Sequence, residues 1–330
     1  MWNRYHLRKS MATLLVVFTL ATSAFLSHRA IGQTEGNSMA NRFHVPMPTL
    51  GGAQIWSDRM HRDGYRIQYN EMTGHCRLLD PRNVRRGWGN EAEMAGLLDE
   101  YCPAPPVPTA KPIVVLMHGL GRTDNSMKSL ETKFQDAGYE QTIRFGYASA
   151  RSPLGRSADN LRRVLEGQHP EAEFCFVGHS MGNIVLRHLV GDLERQGDPM
   201  NILPRCRAMV MLGPPNQGAM IARRLATIGV FEWVFGPGGM ELGPRWSEIQ
   251  DRLATPSFPF AIVAGKLETG QMNNPLVEGD SDFVVSLEEA KLEGAEVIQE
   301  FPVLHSFLMT DPDVQKWTID YIESKLPSQR

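Results

Sequence analysis

Gly178-His179-Ser180-Met181-Gly182 is the stretch of this chain best suited to covalent chemistry. A serine hydroxyl is a weak nucleophile until a base takes its proton, so its neighbours decide its reactivity. The apolar run Glu173–Val177 before the pentapeptide reads as a strand, and residues 181–195 read as a helix. G-x-S-x-G between a strand and a helix turns the chain sharply and lifts the serine above the end of the strand. Bulky residues two before and two after would strike neighbouring backbone, so both are glycine. Ser180 then stands at a helix N-terminus, which favours developing negative charge. The chemistry expected is acyl transfer through an acyl-serine. A glycine-rich turn carrying an idle serine would share the pentapeptide, so its partners must be found.

The base is sought among ten histidines. On a serine elbow of this kind, acid and base follow the nucleophile in the chain. His188 lies about two helical turns beyond Ser180 and cannot reach back; packing or capping is its expected role. His179 is expected to point elsewhere. His305 is the only histidine after His188, in the loop between strand Val297–Val303 and the last helix. It is the expected base. The acid should lie in Glu278-Gly279-Asp280-Ser281-Asp282-Phe283-Val284-Val285, between the last two strands. Asp282 is preferred, Asp280 is the alternative, and Glu268 and Glu278 rank below them. An oxyanion needs two backbone N–H donors. One is expected from Met181 and the other from Leu120, in the loop His118-Gly119-Leu120-Gly121. His118 is expected to orient that loop.

The elements that must position these residues are an alternation of strands and helices from residue 112 onward. Ile113–Met117 is a continuous apolar run, as in a parallel strand buried on both faces. Further strands are predicted at Thr142–Tyr147, Ala208–Leu212 and Phe258–Ala264. Helices are predicted near 125–137 and 157–167, with a last one at Asp313–Leu326 capped by Asp311. The pattern predicts a mostly parallel sheet with helices on both faces. Before it, Asp63-Gly64 signals a hairpin between strands near Gln54–Met60 and Tyr65–Tyr69. A helix over 91–100 and the stiff Pro103-Ala104-Pro105-Pro106-Val107-Pro108 connector complete that extension.

Four stretches resemble the bacterial lipase and esterase branch of the α/β-hydrolases. Val115-Leu116-Met117-His118-Gly119-Leu120 is similar to that branch's strand and oxyanion segment, and Gly178–Gly182 to its elbow. Leu212-Gly213-Pro214-Pro215-Asn216-Gln217-Gly218-Ala219 resembles its segment after the next strand. Asp282-Phe283-Val284-Val285 resembles its acid loop, with Phe283 where glycine is usual, and His305 matches its late histidine. The resemblance covers about 112–330 and implies an α/β-hydrolase fold. It implies carboxylic ester hydrolysis by Ser180, Asp282 and His305, with no cofactor and no metal. It also implies that 219–248 forms a lid or acyl-pocket wall; an extra helix pair in the core is the alternative. Residues 33–111 carry no such resemblance.

The chain has 330 residues, 42% hydrophobic and 22% charged, with a formal net charge of −3. This is the composition of a globular protein without the basic face that nucleic acid requires. A small-molecule or lipid ester is the expected partner. Arg4, Arg8 and Lys9 precede the 16-residue uncharged run Met11–Leu26, followed by small residues up to Gly32. This reads as an export signal with cleavage after Gly32, or a retained anchor. The chain is therefore expected to be secreted, periplasmic or held at the envelope. Export permits disulfides, and Cys76 with Cys102 is the candidate pair. Cys175 reads as a buried small hydrophobe. Thioesterase or acyltransferase activity would use the same residues. A non-catalytic binding protein of the envelope predicts a broken set of them.

Overall fold

A tight turn at Asp63-Gly64 closes the first hairpin. Both residues have positive φ, 48° and 77°, as a two-residue hairpin turn of the I′ type requires. The hairpin joins β2 (Trp56–Arg62) to β3 (Tyr65–Asn70), with β4 (Cys76–Leu79) and β5 (Val84–Gly89) following. With β1 (Met47–Pro48) they form an antiparallel sheet in the order β1-β5-β4-β3-β2. Helix α1 (Glu91–Tyr101) starts in a capping box between Asn90 and Glu93. It lays Met94 and Leu98 on Ile67, Cys76 and Leu78. The structure is a computed structural model that describes Met47–Pro48, residues 54–226, 231–267, 274 and 276–327. The expected export signal, most of the segment 33–51, residues 227–230 of the expected lid and Glu268 lie outside the described residues. Among the described residues, no helix is long and apolar enough to cross a membrane.

The second sheet is parallel throughout. Its strands are β6 (Ile113–Met117), β7 (Thr142–Phe145), β8 (Phe174–His179), β9 (Cys206–Leu212), β10 (Phe260–Gly265) and β11 (Val297–Phe301). They run in the order β11-β10-β9-β8-β6-β7. Val114, Leu116, Val177, Val210 and Val263 are wholly buried, the mark of strands covered on both faces. The chain enters at β6, steps outward to β7, then returns across β6 and proceeds from β8 to β11. Strand order therefore reverses between β6 and β8, and a crevice opens at their carboxyl ends. Both the His118–Gly121 loop and the Ser180 elbow leave the sheet there. This is an α/β-hydrolase architecture. The last helix, Pro312–Ser324, has Asp311 as its cap, with bonds from the Asp313 and Val314 N–H groups.

The structure departs from expectation in two places. Strands β4 and β5 were not predicted, because Arg77, Arg85, Arg86 and Gly87 hide any apolar alternation. Cys76 and Cys102 are not bonded: Cys76 is buried in the first sheet's core, and the Cys102 thiol donates to the Ala104 carbonyl at 3.3 Å. The segment 219–248 forms helices at Met220–Ala226, Phe231–Leu242 and Trp246–Ile249, with a kink at Gly236. Its second half lies against residues 149–154. Glu241 accepts from the Leu154 N–H at 2.7 Å, and a Cβ on Gly238 would stand 3.3 Å from Met181 Sδ.

The two sheets lie in one unit, Val45–Arg330, joined by buried polar groups. Asp58, wholly buried, accepts from the Gly146 N–H at 2.7 Å and from Gln68 at 2.7 Å, and lies 2.9 Å from His61 Nε2 and 3.7 Å from Arg66. Burial alone would raise this carboxyl, but Arg66, His61 and Gln68 outweigh it and hold it at about 2 against an ordinary 3.8. A carboxyl depressed by folding stabilises the native state above its unfolded value and loses that effect as pH falls through its folded value. Asp58→Ala is expected to cost about 3–5 kcal/mol in urea unfolding at neutral pH, because Arg66 and Gly146 lose a buried partner. The cost should shrink between about pH 4 and pH 2. An equal cost at pH 7 and pH 2 would refute this account of Asp58.

Candidate active site

The elbow is built by close packing. A Cβ on Gly178 would stand 2.2 Å from Asn183 Oδ1, and one on Gly182 would stand 2.8 Å from the His118 carbonyl. Only glycine fits either position. Between them Ser180 takes φ 53°, ψ −123°, a left-handed conformation that L-residues rarely adopt. The Ser180 N–H donates to the Leu212 carbonyl at 2.8 Å, and its own carbonyl accepts from the Asn183 backbone and side chain, each at 3.1 Å. These bonds hold the strained residue while its side chain stays partly exposed.

His305 and Asp282 meet directly. The His305 Nδ1–H donates to Asp282 Oδ2 at 2.6 Å, and the His305 backbone N–H donates to the Asp282 carbonyl at 2.9 Å. Asp282 Oδ1 accepts from the Val284 and Val285 N–H groups at 3.0 and 2.7 Å. Both side chains are buried. Phe283 has φ 83°, so it occupies the left-handed position for which glycine is suited. Its carbonyl accepts from Asn274 at 2.6 Å, which fixes the turn. Asp280 instead pairs with Lys266 at 3.3 Å, and Glu278 pairs with Arg224; both carboxylates are solvated.

The imidazole of His305 lies over Gly213, next in chain to the Leu212 that holds Ser180: a Cβ on Gly213 would stand 2.9 Å from His305 Nδ1. Among the described residues, no hydrogen bond joins Ser180 Oγ to the ring. Catalytic bonds of this kind are often open in a free enzyme and tighten with substrate. On the other side, Gly119 lies against Ser180; a Cβ there would stand 3.1 Å from Ser180 Cβ. The Leu120 and Met181 N–H groups have no acceptor among the described residues, so both are free to donate.

Three further residues frame the crevice. His118 is wholly buried and stacks on Tyr147 with ring centroids 4.2 Å apart. Its Nδ1–H donates to the Gly119 carbonyl at 2.9 Å, and Tyr147 OH donates to the His118 carbonyl at 2.6 Å. Burial pulls its ring down to about 4, so it is neutral at pH 7 and holds the loop. His179 does not point away from the site. Its Nε2–H donates to the His305 carbonyl at 3.0 Å, and the two rings lie 4.7 Å apart. Burial first, then the neighbouring His305 and Arg122 charges, hold His179 well below its ordinary value. Arg122, partly exposed, reaches from the His118–Gly121 loop to the Ser306 carbonyl at 3.3 Å. It had no sequence signal, because its role depends on a residue 184 positions away. His188 is buried elsewhere, bound to Asp192 at 2.8 Å.

No protein-family model matches the chain, and no curated protein resembles it in sequence. Solved structures do share its architecture. The Bacillus licheniformis lipase BlEst2 in mature form is 18% identical, aligned over 66% of this chain and 96% of its own, with a TM-score of 0.53. The propeptide form of the same lipase is 14% identical over 68% of this chain and 53% of its own, also with a TM-score of 0.53. At such identities the likeness is one of fold. Six parallel strands reversing order at β6 and β8, an elbow on β8 and this likeness together identify the chain as a protein of the α/β-hydrolase fold.

Proposed function

We propose that the protein is a serine hydrolase that cleaves carboxylic esters through an acyl-enzyme. The reading is carried by one observation: the buried Asp282–His305 pair, 2.6 Å apart, stands beside the strained Ser180 elbow. In this reading Ser180 Oγ attacks the ester carbonyl while His305 Nε2 takes its proton. Asp282 keeps the Nδ1 proton in place, so that Nε2 is the free acceptor, and stabilises the imidazolium that forms. The Leu120 and Met181 N–H groups receive the oxyanion. His305 returns the proton to the leaving alkoxide, which departs as the alcohol. Water then adds to the acyl-serine by the same steps, releasing the acid and restoring Ser180. Asp282 is preferred over Asp280 because only Asp282 touches the histidine. Ser180→Ala and Asp282→Ala are each expected to lower kcat on a short p-nitrophenyl ester by about ten-thousandfold. Asp280→Ala, which loses only a solvated ion pair, should leave kcat nearly unchanged. Full activity in Ser180→Ala would overturn the mechanism.

A second observation bears on the substrate. Among the described residues the Arg122 guanidinium has no carboxylate within salt-bridge reach, and its side-chain bond is to a neutral carbonyl. Burial lowers its pKa with no carboxylate to oppose the effect. A partly desolvated cation gains most from an anionic partner. Esters carrying a carboxylate or phosphate near the scissile bond supply one. Wild type is expected to prefer the mono-p-nitrophenyl ester of glutaric acid over p-nitrophenyl valerate in kcat/KM by about tenfold. Arg122→Gln should abolish the preference while sparing the neutral ester. Equal losses on both esters would assign Arg122 to structure alone.

Export is part of the same reading, supported by the basic and apolar pattern of residues 1–32. The mass of the protein recovered from its own cells is expected to fit a chain beginning at Gln33 or one held at the envelope. A full-length chain in the soluble cytoplasmic fraction would refute export.

A further inference from the structure

Residues 54–101 carry no part of the proposed reaction, yet their first strand reaches the crevice. The Ser57 hydroxyl accepts from the Ala148 N–H at 3.1 Å, and the Asp58 N–H donates to the Gly146 carbonyl at 2.8 Å. These bonds fasten the loop after β7 to the N-terminal sheet. Just ahead of β2, Gln54 makes three bonds. Its Oε1 accepts from Ser149 Oγ at 2.9 Å and from the Ala150 N–H at 3.1 Å, and its Nε2 donates to the Arg122 carbonyl at 2.5 Å. Ser149 Oγ in turn accepts from the Gly121 N–H at 3.0 Å. Three hydrogen bonds and the Gly121–Arg122 backbone thus close a ring through Gln54, Ser149, Gly121 and Arg122, beside Leu120.

That turn runs Gly119-Leu120-Gly121-Arg122. The Arg122 N–H donates to the Gly119 carbonyl at 3.3 Å, and Gly121 has φ 69°. This is a type II turn, with glycine in its left-handed third position. The central peptide here is Leu120–Gly121. The Ser149 hydroxyl accepts from its Gly121 N–H, and the Gln54 amide holds the Arg122 carbonyl at the end of the turn. The Leu120 N–H lies in the preceding peptide, whose Gly119 carbonyl accepts from His118 and from the Arg122 N–H, so Ser149 and Gln54 brace the turn from the carboxyl side of the donor.

We propose that the N-terminal sheet is a working part of the catalytic site, with Gln54 the positioning residue that, through Ser149, keeps the oxyanion turn in its donating geometry. This rests on the assignment of Leu120 N–H to the oxyanion. Gln54 touches no reacting atom; it acts on the turn. A pre-set donor stabilises the transition state more than the bound ester, so its loosening falls on kcat and spares KM.

The test compares wild type, Gln54→Ala, Ser149→Ala, the double variant and Ser180→Ala in the full chain. The readouts are kcat and KM on a short p-nitrophenyl ester, inhibition by phenylboronic acid and melting temperature, with active sites titrated so that kcat refers to folded enzyme. A boronate forms a tetrahedral adduct on the serine and so reads the oxyanion donors directly. Gln54→Ala is expected to lower kcat about tenfold, less than the hundredfold or more lost with an oxyanion donor itself. KM should stay within about twofold, and boronate affinity should fall in step with kcat. Ser149→Ala should do the same, and the double variant should lose little more than either single variant, because both break one ring. Unchanged kcat per titrated site in Gln54→Ala, or losses that multiply in the double variant, would overturn the proposal. An active Ser180→Ala would instead sink the ester-hydrolase reading itself, so the two failures are told apart.

Discussion

The left-handed backbone of Ser180 is the constraint from which the rest of the site follows. A non-glycine residue at φ 53° costs about 1–3 kcal/mol and persists only where its surroundings over-determine it. Here they do. Leu212 holds its N–H, Asn183 holds its carbonyl twice, and the flanking glycines let β6 and the helix Met181–Gln196 close on it. The strain places Ser180 between the loops after β6 and β9 rather than within the helix that follows.

A second strained residue supports the other half of the site. Phe283, at φ 83°, lets the Asp282 loop curl so that one carboxylate oxygen meets two backbone N–H groups and the other meets His305. With its lone pairs so committed, the carboxylate has little freedom to turn, and His305 is fixed in one orientation. His179 adds a bond to the His305 carbonyl from beneath. The neutral rings of His118 and His179 supply hydrogen bonds without adding charge that would oppose an imidazolium at His305.

The N-terminal sheet is joined to this site through polar groups, buried at Ser57 and Asp58. Asp58, Ser57 and Gln54 all bond the loop after β7, and that loop bonds the turn after β6. Polar contacts of this kind are directional. They fix register where an apolar interface would allow sliding.

Much of this was legible in the sequence because it is local. The elbow needs two glycines about a serine, β6 is a continuous apolar run, and the chain-order rule left His305 as the candidate base. The hairpin at Asp63-Gly64 and the cap at Asp311 have equally local causes. What the sequence left open depends on residues far apart in the chain. Asp280 and Asp282 are two positions apart with the same chemistry, and only the curl at Phe283 turns one toward His305. Strands β4 and β5 have no apolar alternation of their own; cross-strand pairing makes them strands. Gln54 and Arg122 have no motif, since each is defined by a partner about a hundred residues away or more. Residue type and spacing thus determined the chemistry available to this chain. The tertiary structure decided which carboxylate meets His305, which loops flank Ser180 and which outlying side chains bond those loops, because those choices are made by contact distance, and contact distance is not a local property of sequence.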